Sequence, residues 1–207
     1  MTLTERIVAL HAALAGADLS HAFGGALALA FCTAEPRGTQ DIDVNVFLAP
    51  DEVDRLLDVL PGGITVTGAD RRLLARDAQA RLWWDATPVD VFLSNHPFHD
   101  HAEANRRHVA FAGIERLPVL ACQDLAVFKA FLARPKDVVD VATMVALGSV
   151  ELAALRQSVG ALLGDDDQRA RFFERVAEAA SEIEHRPNGH LSAERAIGAI
   201  DEERARR

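Results

Sequence analysis

The 207-residue sequence lacks any apolar run near the ~18 residues that would suggest a membrane span. Its N-terminal segment starts polar and carries Glu5, so it also lacks the basic start of a signal peptide. These two absences lead us to expect a soluble cytoplasmic protein without membrane association.

Cysteine is scarce, with Cys32 and Cys122 as the two examples. Each lies among apolar residues, a setting in which a free thiol behaves as a small hydrophobic side chain. Two cysteines do not form the framework typical of small secreted domains. We therefore expect both to be buried free thiols.

The chain is also short of basic residues, with 22 Lys and Arg against 31 Asp and Glu and a formal net charge of -9. This charge argues against nonspecific binding to nucleic acid, which needs a basic surface. A local basic groove stays open, because basic residues cluster in sequence at Arg71, Arg72, Arg76 and Arg81, and at Arg106, Arg107, Arg134 and Lys136.

Hydrophobic residues make up 49% of the chain, which is enough for the whole of it to fold. Helical and strand periodicities alternate up to about residue 115, and from residue 123 the pattern is helical. We predict an α+β protein with an α/β core at 1–115 and a helical region at 116–207, packed around one cleft. The later predicted helices are 123–133, 135–147, 149–163, 166–184 and 191–205.

The segment 41–49 alternates apolar and polar residues with the period of a strand. Asp41 and Asp43 are two positions apart, so they share one face of that strand. Neighbouring carboxylates repel each other unless a cation lies between them, and Mg²⁺ favours such oxygen ligands. Two solvated aspartates at a strand end are the alternative, and for this pair alone the more common one.

The residues around the acidic pair favour a metal and phosphate site over two solvated aspartates. Gly24 and Gly25 lie between a predicted strand and an apolar helix, where the backbone can approach a phosphate, although for the glycine pair alone a tight turn is the favoured interpretation. Thr39 stands just before the pair. Asp90 lies in the apolar strand 88–94, joined to strand 81–85 by a predicted turn from Asp85 to Thr87, and a buried carboxylate needs a partner or a metal.

The ordered motifs GG (24–25), GTQDIDV (38–44) and VDVF (89–92) resemble the nucleotidyltransferase superfamily with the DNA polymerase β-like fold. The resemblance implies a mixed-sheet domain and transfer of an NMP from an NTP to a hydroxyl with Mg²⁺. The sequence departs from the commonest pattern in a longer insert before the acidic pair and in Thr39, where Ser is usual. The implied metal ligands are Asp41, Asp43 and Asp90, the last also a candidate general base, and the implied phosphate contacts are Gly24, Gly25 and Thr39.

The longer segment from about residue 20 to 147 resembles the AbiEii/AbiGii-type nucleotidyltransferases, which include toxins of type IV toxin–antitoxin systems. The second motif that carries this resemblance is Lys129 followed by RPKDVVD (134–140). It implies that Lys129 reaches the triphosphate and that Arg37, Lys136 and Asp140 belong to the nucleotide site. A solvated helix start is the alternative interpretation of 134–140.

Three functions remain open from the sequence. The toxin-like branch implies a tRNA 3′ end as acceptor and a cognate antitoxin as partner. The acidic charge and modest size fit a small hydroxylated acceptor such as an antibiotic at least as well. A non-catalytic binding module of the same fold is the third alternative.

Two further clusters invite functional interpretations that we consider weaker. His96, His99 and His101 suggest zinc, but their spacing matches no strong ligand pattern, so a loop or capping role is expected. Trp83 and Trp84 could stack on a base, but we expect one ring in the core and the other partly exposed. The acidic run 165–167 is interpreted as a helix N-cap.

Overall fold

The fold is known from a computed structural model that describes residues 1–35, 38–164 and 166–184. Arg37, Asp165 and the predicted helix 191–205 lie outside the described residues. The structure combines a mixed β-sheet with a helical second half, so the predicted α+β class is confirmed.

Over the described residues the chain forms nine α-helices and seven β-strands. The helices are α1 (Leu3–Gly16), α2 (Gly25–Thr33), α3 (Val53–Leu57), α4 (Gly68–Asp77), α5 (Phe98–Asn105), α6 (Cys122–Leu132), α7 (Pro135–Ala146), α8 (Leu152–Leu163) and α9 (Asp167–Glu184). The strands are β1 (His21–Phe23), β2 (Ile42–Val46), β3 (Ile64–Thr65), β4 (Gln79–Trp84), β5 (Thr87–Leu93), β6 (Arg107–Phe111) and β7 (Ile114–Val119). None of the helices in these ranges has the combination of length and apolar character needed to cross a membrane.

The chain divides into two compact units. The first comprises residues 1–31 and 35–121 and contains the whole sheet, whose strand order is β3-β4-β5-β2-β1-β7-β6. Strand β2 runs parallel to β5, and β1 runs parallel to β7, while the other neighbouring strands are antiparallel. The strand that follows the acidic residue Asp41 is therefore central in the sheet, between β5 and β1.

The hairpin β4–β5 shows how the sequence pattern fixes the two faces of the sheet. Alternate residues of β4 are buried, ending at Trp84, and the residues between them are exposed, including Trp83. In β5 the buried positions are Thr87, Val89, Val91 and Leu93. Because side chains of a strand alternate between faces, Arg81 and Asp90 lie together on the face opposite the core. This confirms that one tryptophan is in the core and the other is partly exposed.

Strands β6 and β7 form a hairpin where the sequence indicated only weak strand character over 109–120. The strands are joined at Ala112 and Gly113, which both have positive φ, 48° and 86°. A two-residue connection with two positive φ angles matches the twist of a hairpin. Alanine rarely adopts that conformation, so no turn was predicted at this point.

The second unit comprises residues 32–34 and 122–207, of which the described helices are α6 to α9. Helices α7 and α9 pack against each other. Buried apolar residues recur at helical spacing in both, Val138, Val141 and Ala142 in α7 and Phe172 and Val176 in α9. This unit therefore has an apolar core of its own.

The expectation of two free thiols is wrong. Cys32, in the last turn of α2, and Cys122, in the first turn of α6, form a disulfide with a Cα–Cα distance of 5.5 Å. Both residues are buried, as expected. Disulfide bonding depends on this tertiary proximity, which the apolar neighbours of each cysteine do not reveal.

Reduction of this disulfide is expected to lower the free energy of unfolding by about 2–4 kcal/mol, because the bond closes a long loop of the unfolded chain. The loop spans a sequence separation of 90 residues. Urea unfolding with and without dithiothreitol measures the loss. The Cys32→Ser/Cys122→Ser variant is the control, since dithiothreitol should leave its unfolding curve unchanged. Two thiols that react in the unreduced native protein would contradict the prediction.

Candidate functional site

Three charged residues form a row across neighbouring strands of the first unit. Asp43 of β2 is paired with Asp90 of β5, and Asp90 is paired with Arg81 of β4. Directly paired residues point to the same face, and neighbouring strands lie about 4.8 Å apart. The register therefore aligns two of the predicted metal ligands on adjacent strands, with a cation at the end of the row.

Arg81 and Asp90 form a two-pronged ion pair. Arg81 donates from Nε to Asp90 Oδ1 at 2.7 Å and from Nη2 to Oδ2 at 2.6 Å. Such bidentate pairs are among the stronger charge-assisted hydrogen bonds. The Arg81 side chain is 53% exposed and the Asp90 side chain 17%, so the arginine lies at the surface over a largely covered carboxylate.

The charges around Arg81 reach beyond its direct partner. Hydrogen bonding and the negative charge of Asp90 raise the pKa of Arg81 above its usual value, and the charges of Asp41 and Asp43 act in the same direction. Arg81 is thus a cation in the field of all three predicted carboxylates. In the sequence Arg81 is recognisable only as part of a basic cluster, so its position at this site was not predicted.

Asp41, directly before β2, has a different partner. The hydroxyl of Thr39 donates to Asp41 Oδ1, and the Asp41 backbone N–H donates to Thr39 Oγ1 at 3.4 Å. The two residues thus form a local hydrogen-bonded turn at the entrance to the strand. The predicted contact between Thr39 and a phosphate stays a prediction.

The two glycines approach Asp43 closely. The Gly24 N–H donates to the Asp43 carbonyl at 2.9 Å. Gly25 begins α2 with a φ of +50°, and a Cβ at this position would lie 1.8 Å from Asp43 Oδ2 and 2.5 Å from its Cγ. Glycine is required at 25 both for the left-handed backbone and for the space that Asp43 occupies.

Replacement of Gly25 by Ala is expected to cost about 2–4 kcal/mol of stability, from the left-handed backbone and the clash with Asp43. Chemical denaturation measures the cost, and Gly16→Ala is the control because a Cβ there meets nothing within 4 Å. In an Asp43→Ala background the same change should cost less, because the clashes with Oδ2 and Cγ are gone and only the left-handed backbone and the Cβ of residue 43, at 3.0 Å, remain. Equal costs in the two backgrounds would contradict the proposed clash.

The predicted metal ligands Asp41, Asp43 and Asp90 offer carboxylate oxygens, the ligand type that a hard cation such as Mg²⁺ prefers. Gly25, which leaves space at Asp43 that a side chain would fill, also fits such a site. In the described parts of the chain, however, no three His, Cys, Asp or Glu side chains are assembled into a metal-binding cluster. The contacts of these side chains give a reason: Asp90 is turned to Arg81, and Asp41 accepts a hydrogen bond from Thr39.

The second motif of the sequence lies in the other unit and forms a buried ion network. Lys129 of α6 is 8% exposed, and its Nζ lies 2.6 Å from Asp140 Oδ2 and 3.6 Å from Asp137 Oδ1. Arg134 donates from Nε to Asp137 Oδ2 at 2.7 Å. Lys136, by contrast, is exposed in the first turn of α7. The structure therefore brings Lys129 and Asp140 together and leaves Lys136 at the surface.

The histidine cluster has capping and helical contacts. The Phe98 N–H donates to His96 Nδ1 at 3.1 Å, His99 Nδ1 lies 3.1 Å from the His96 carbonyl, and His101 pairs with Asn105 within α5. These contacts agree with the loop and capping role that the sequence indicated. At the start of α9, Asp166 Oδ1 accepts the Arg169 N–H at 2.8 Å, as an N-cap does.

No protein-family model matches the sequence, and a search of curated proteins finds no significant relative. Several solved structures resemble the chain, and three of them are described here. The antibiotic-resistance factor ANT(2'')-Ia has a TM-score of 0.46 at 11% identity, covering 98% of this chain and 92% of that one. An antigenic nucleotidyltransferase-like protein from Paracoccidioides brasiliensis has a TM-score of 0.48 at 16% identity, covering 84% and 94%. JHP933 from Helicobacter pylori has a TM-score of 0.39 at 12% identity, covering 98% and 94%.

Proposed function

We propose that this protein is a Mg²⁺-dependent nucleotidyltransferase that moves an NMP from an NTP to an acceptor hydroxyl. The observation that carries the proposal is the register of β2 and β5, which aligns Asp43 with Asp90 beside Gly24 and Gly25. Asp41 lies two residues before Asp43 on the same chain segment. This combination of carboxylates and close backbone is suited to a metal-bound triphosphate.

Each residue has a distinct role in the proposal. Asp41 and Asp43 hold the metal, and Asp90 either holds metal or accepts the proton of the acceptor hydroxyl. When bound, the metal would supply charge stabilisation while the acceptor oxygen forms a bond to the α-phosphate and pyrophosphate leaves. The backbone of Gly24 and Gly25 and the Thr39 hydroxyl contact the phosphates.

The nature of the acceptor is the finer part of the proposal. A tRNA 3′ end follows from the resemblance of residues 20–147 to AbiEii/AbiGii-type proteins, which also implies an antitoxin. A small hydroxylated molecule is the second candidate, and the net charge of -9 favours it because an acidic chain attracts RNA poorly. The proposed roles of Arg37, Lys129, Lys136 and Asp140 in nucleotide binding rest on the same resemblance.

A transfer assay tests the proposal directly. The protein is incubated with each labelled NTP and Mg²⁺, first with total tRNA and then with a panel of hydroxylated antibiotics. Label on tRNA supports the toxin-like branch, and label on an antibiotic supports the small-molecule branch. Absence of transfer to any acceptor, with every NTP, would count against an enzyme.

A thermal-shift measurement separates the enzyme from a non-catalytic binding module. A ligand that binds the folded state but not the unfolded state raises the melting temperature, because it stabilises the fold by RT ln(1 + [L]/Kd). We expect an increase with an NTP and Mg²⁺ together, and none with the nucleoside. A protein that shows no increase with any NTP would fit the binding module instead.

A further inference from the structure

We propose that Arg81 is a positioning residue that competes with the divalent metal for Asp90, so that metal binding requires Arg81 to release this carboxylate. The inference rests on the metal site of the proposed function. It adds a residue that neither the sequence motifs nor the comparisons assign to that site. Its basis is the contact geometry at the end of the charged row.

Arg81, Asp90 and Asp43 are aligned across three neighbouring strands. Asp90 is the middle member of the row, with Arg81 on one neighbouring strand and Asp43 on the other. Both oxygens of Asp90 are engaged by the guanidinium, at 2.7 and 2.6 Å. A carboxylate with both oxygens directed to one strand is not positioned to share a cation with the other strand.

The negative charges of Asp43 and Asp90 need a positive partner. Asp43 and Asp90 on adjacent strands would repel each other if nothing positive stood beside them, as like charges directly opposite destabilise a sheet. Arg81 provides that positive charge in the metal-free protein. A divalent cation between the two carboxylates would provide the same neutralisation, so the guanidinium and the metal are alternative partners of Asp90.

The exposure of Arg81 allows it to leave Asp90. Arg81 is half exposed, whereas Asp90 is largely covered, so the guanidinium can turn into solvent without unfolding the strand. Solvent reaches the half-exposed guanidinium and screens its charge, so the contact with Asp90 can open and close reversibly. A counter-ion that exchanges in this way leaves Asp90 available to a metal.

Metal affinity of the full chain tests the inference without any need for catalysis. Mn²⁺ binding is measured by calorimetry or by the loss of the free-ion EPR signal. We expect Arg81→Gln to lower the Kd for Mn²⁺ about fivefold to tenfold, because Asp90 is released and a nearby positive charge is removed. Arg81→Lys keeps the charge but not the two-pronged contact, and should give an intermediate Kd.

Arg71→Gln is the matched control. Arg71 forms a bidentate pair with Asp54 at 2.8 and 2.6 Å, the same geometry away from the charged row. Its loss should leave the Kd for Mn²⁺ unchanged. In an Asp90→Asn background, Arg81→Gln should lower the Kd by less than twofold, because the contested carboxylate is neutral and only the screened, through-space effect of removing a nearby positive charge remains.

Melting temperatures provide a second measurement that a purely structural role would not produce. Metal-free Arg81→Gln should melt below the wild type, and Mn²⁺ should raise its melting temperature by more than it raises that of the wild type. A variant that melts lower by the same amount with and without Mn²⁺ would overturn the inference.

The outcomes also separate this inference from the proposed function. Mn²⁺ binding by the wild type with an unchanged or weaker affinity in Arg81→Gln would overturn the competition alone. Absence of Mn²⁺ binding in both proteins would overturn the metal site and the inference together. If the Mn²⁺ affinities are as expected but no NMP is transferred to any acceptor, the competition is supported and the proposed enzymatic activity is contradicted.

Discussion

Asp43→Asn is expected to reduce NMP transfer by at least about a thousandfold, a loss of about 4 kcal/mol in transition-state stabilisation. The change keeps the size of the side chain and removes its charge, so the space beside Gly25 stays filled. Asp43 lies between the Gly24 backbone and the paired Asp90. Its carboxylate is therefore central in the proposed metal site. Single-turnover transfer to the acceptor found by the assay measures the effect.

Asp58→Asn controls for the loss of a negative charge, because Asp58 is exposed beyond the end of α3. It should retain wild-type transfer. Removal of metal with EDTA should lower wild-type transfer to the level of Asp43→Asn and should lower the variant little further, because both changes remove the same interaction. Full activity of Asp43→Asn would refute the assignment of this residue.

Lys129→Met is expected to lower the free energy of unfolding by about 3–5 kcal/mol, the usual cost of removing one partner of a buried ion pair. Asp140 is 4% exposed and Asp137 is fully buried, so the methionine would leave carboxylates without this cation in the core of the second unit. Chemical denaturation measures the loss. Lys136→Met, an exposed lysine of the neighbouring helix, should change stability by no more than about 0.5 kcal/mol.

A double variant shows whether the pair itself is the cause. Lys129→Met with Asp140→Leu removes both charges and should recover most of the lost stability, since a buried pair can be replaced by apolar residues at little cost. The role of Lys129 at the triphosphate predicts another pattern. In that case Lys129→Met would keep wild-type stability and lose transfer.

The acidic residues could be predicted from sequence because they depend on local rules. Asp41 and Asp43 are two positions apart in an alternating segment, so a strand places them on one face whatever the rest of the chain does. The apolar neighbours of Asp90 likewise identified a strand. The pairing of β2 with β5, which the sequence does not specify, is shown by the assembled sheet.

Arg81 was missed because strand register depends on the length of the turn. A three-residue turn from Asp85 to Thr87 would set Leu82 opposite Asp90. The observed turn has two residues, since Trp84 pairs with Thr87, and Arg81 is opposite Asp90. A shift of one residue exchanges the two faces of a strand, so this small error concealed a charged partner. The alternation of exposed Arg81 with buried Leu82 was the signal that could have corrected it.

The ion network of the second unit was beyond sequence reasoning for a different reason. Helical spacing related Asp140 to Lys136, four residues before it in α7. The structure pairs Asp140 with Lys129 of α6 instead, eleven residues away. The choice depends on how α6 and α7 pack, and local periodicity contains no information about that packing.

The disulfide also closes part of the chain into a covalent ring. Because Cys32 and Cys122 are joined, the segment between them is a closed ring that carries Asp41, Asp43, Asp90 and Arg81. A single proteolytic cut inside this ring, for example at the glycine-rich turn 62–63, would open the ring without releasing a fragment. The nicked protein would run as one species on a non-reducing gel and as two on a reducing gel, with the charged row divided between the two pieces.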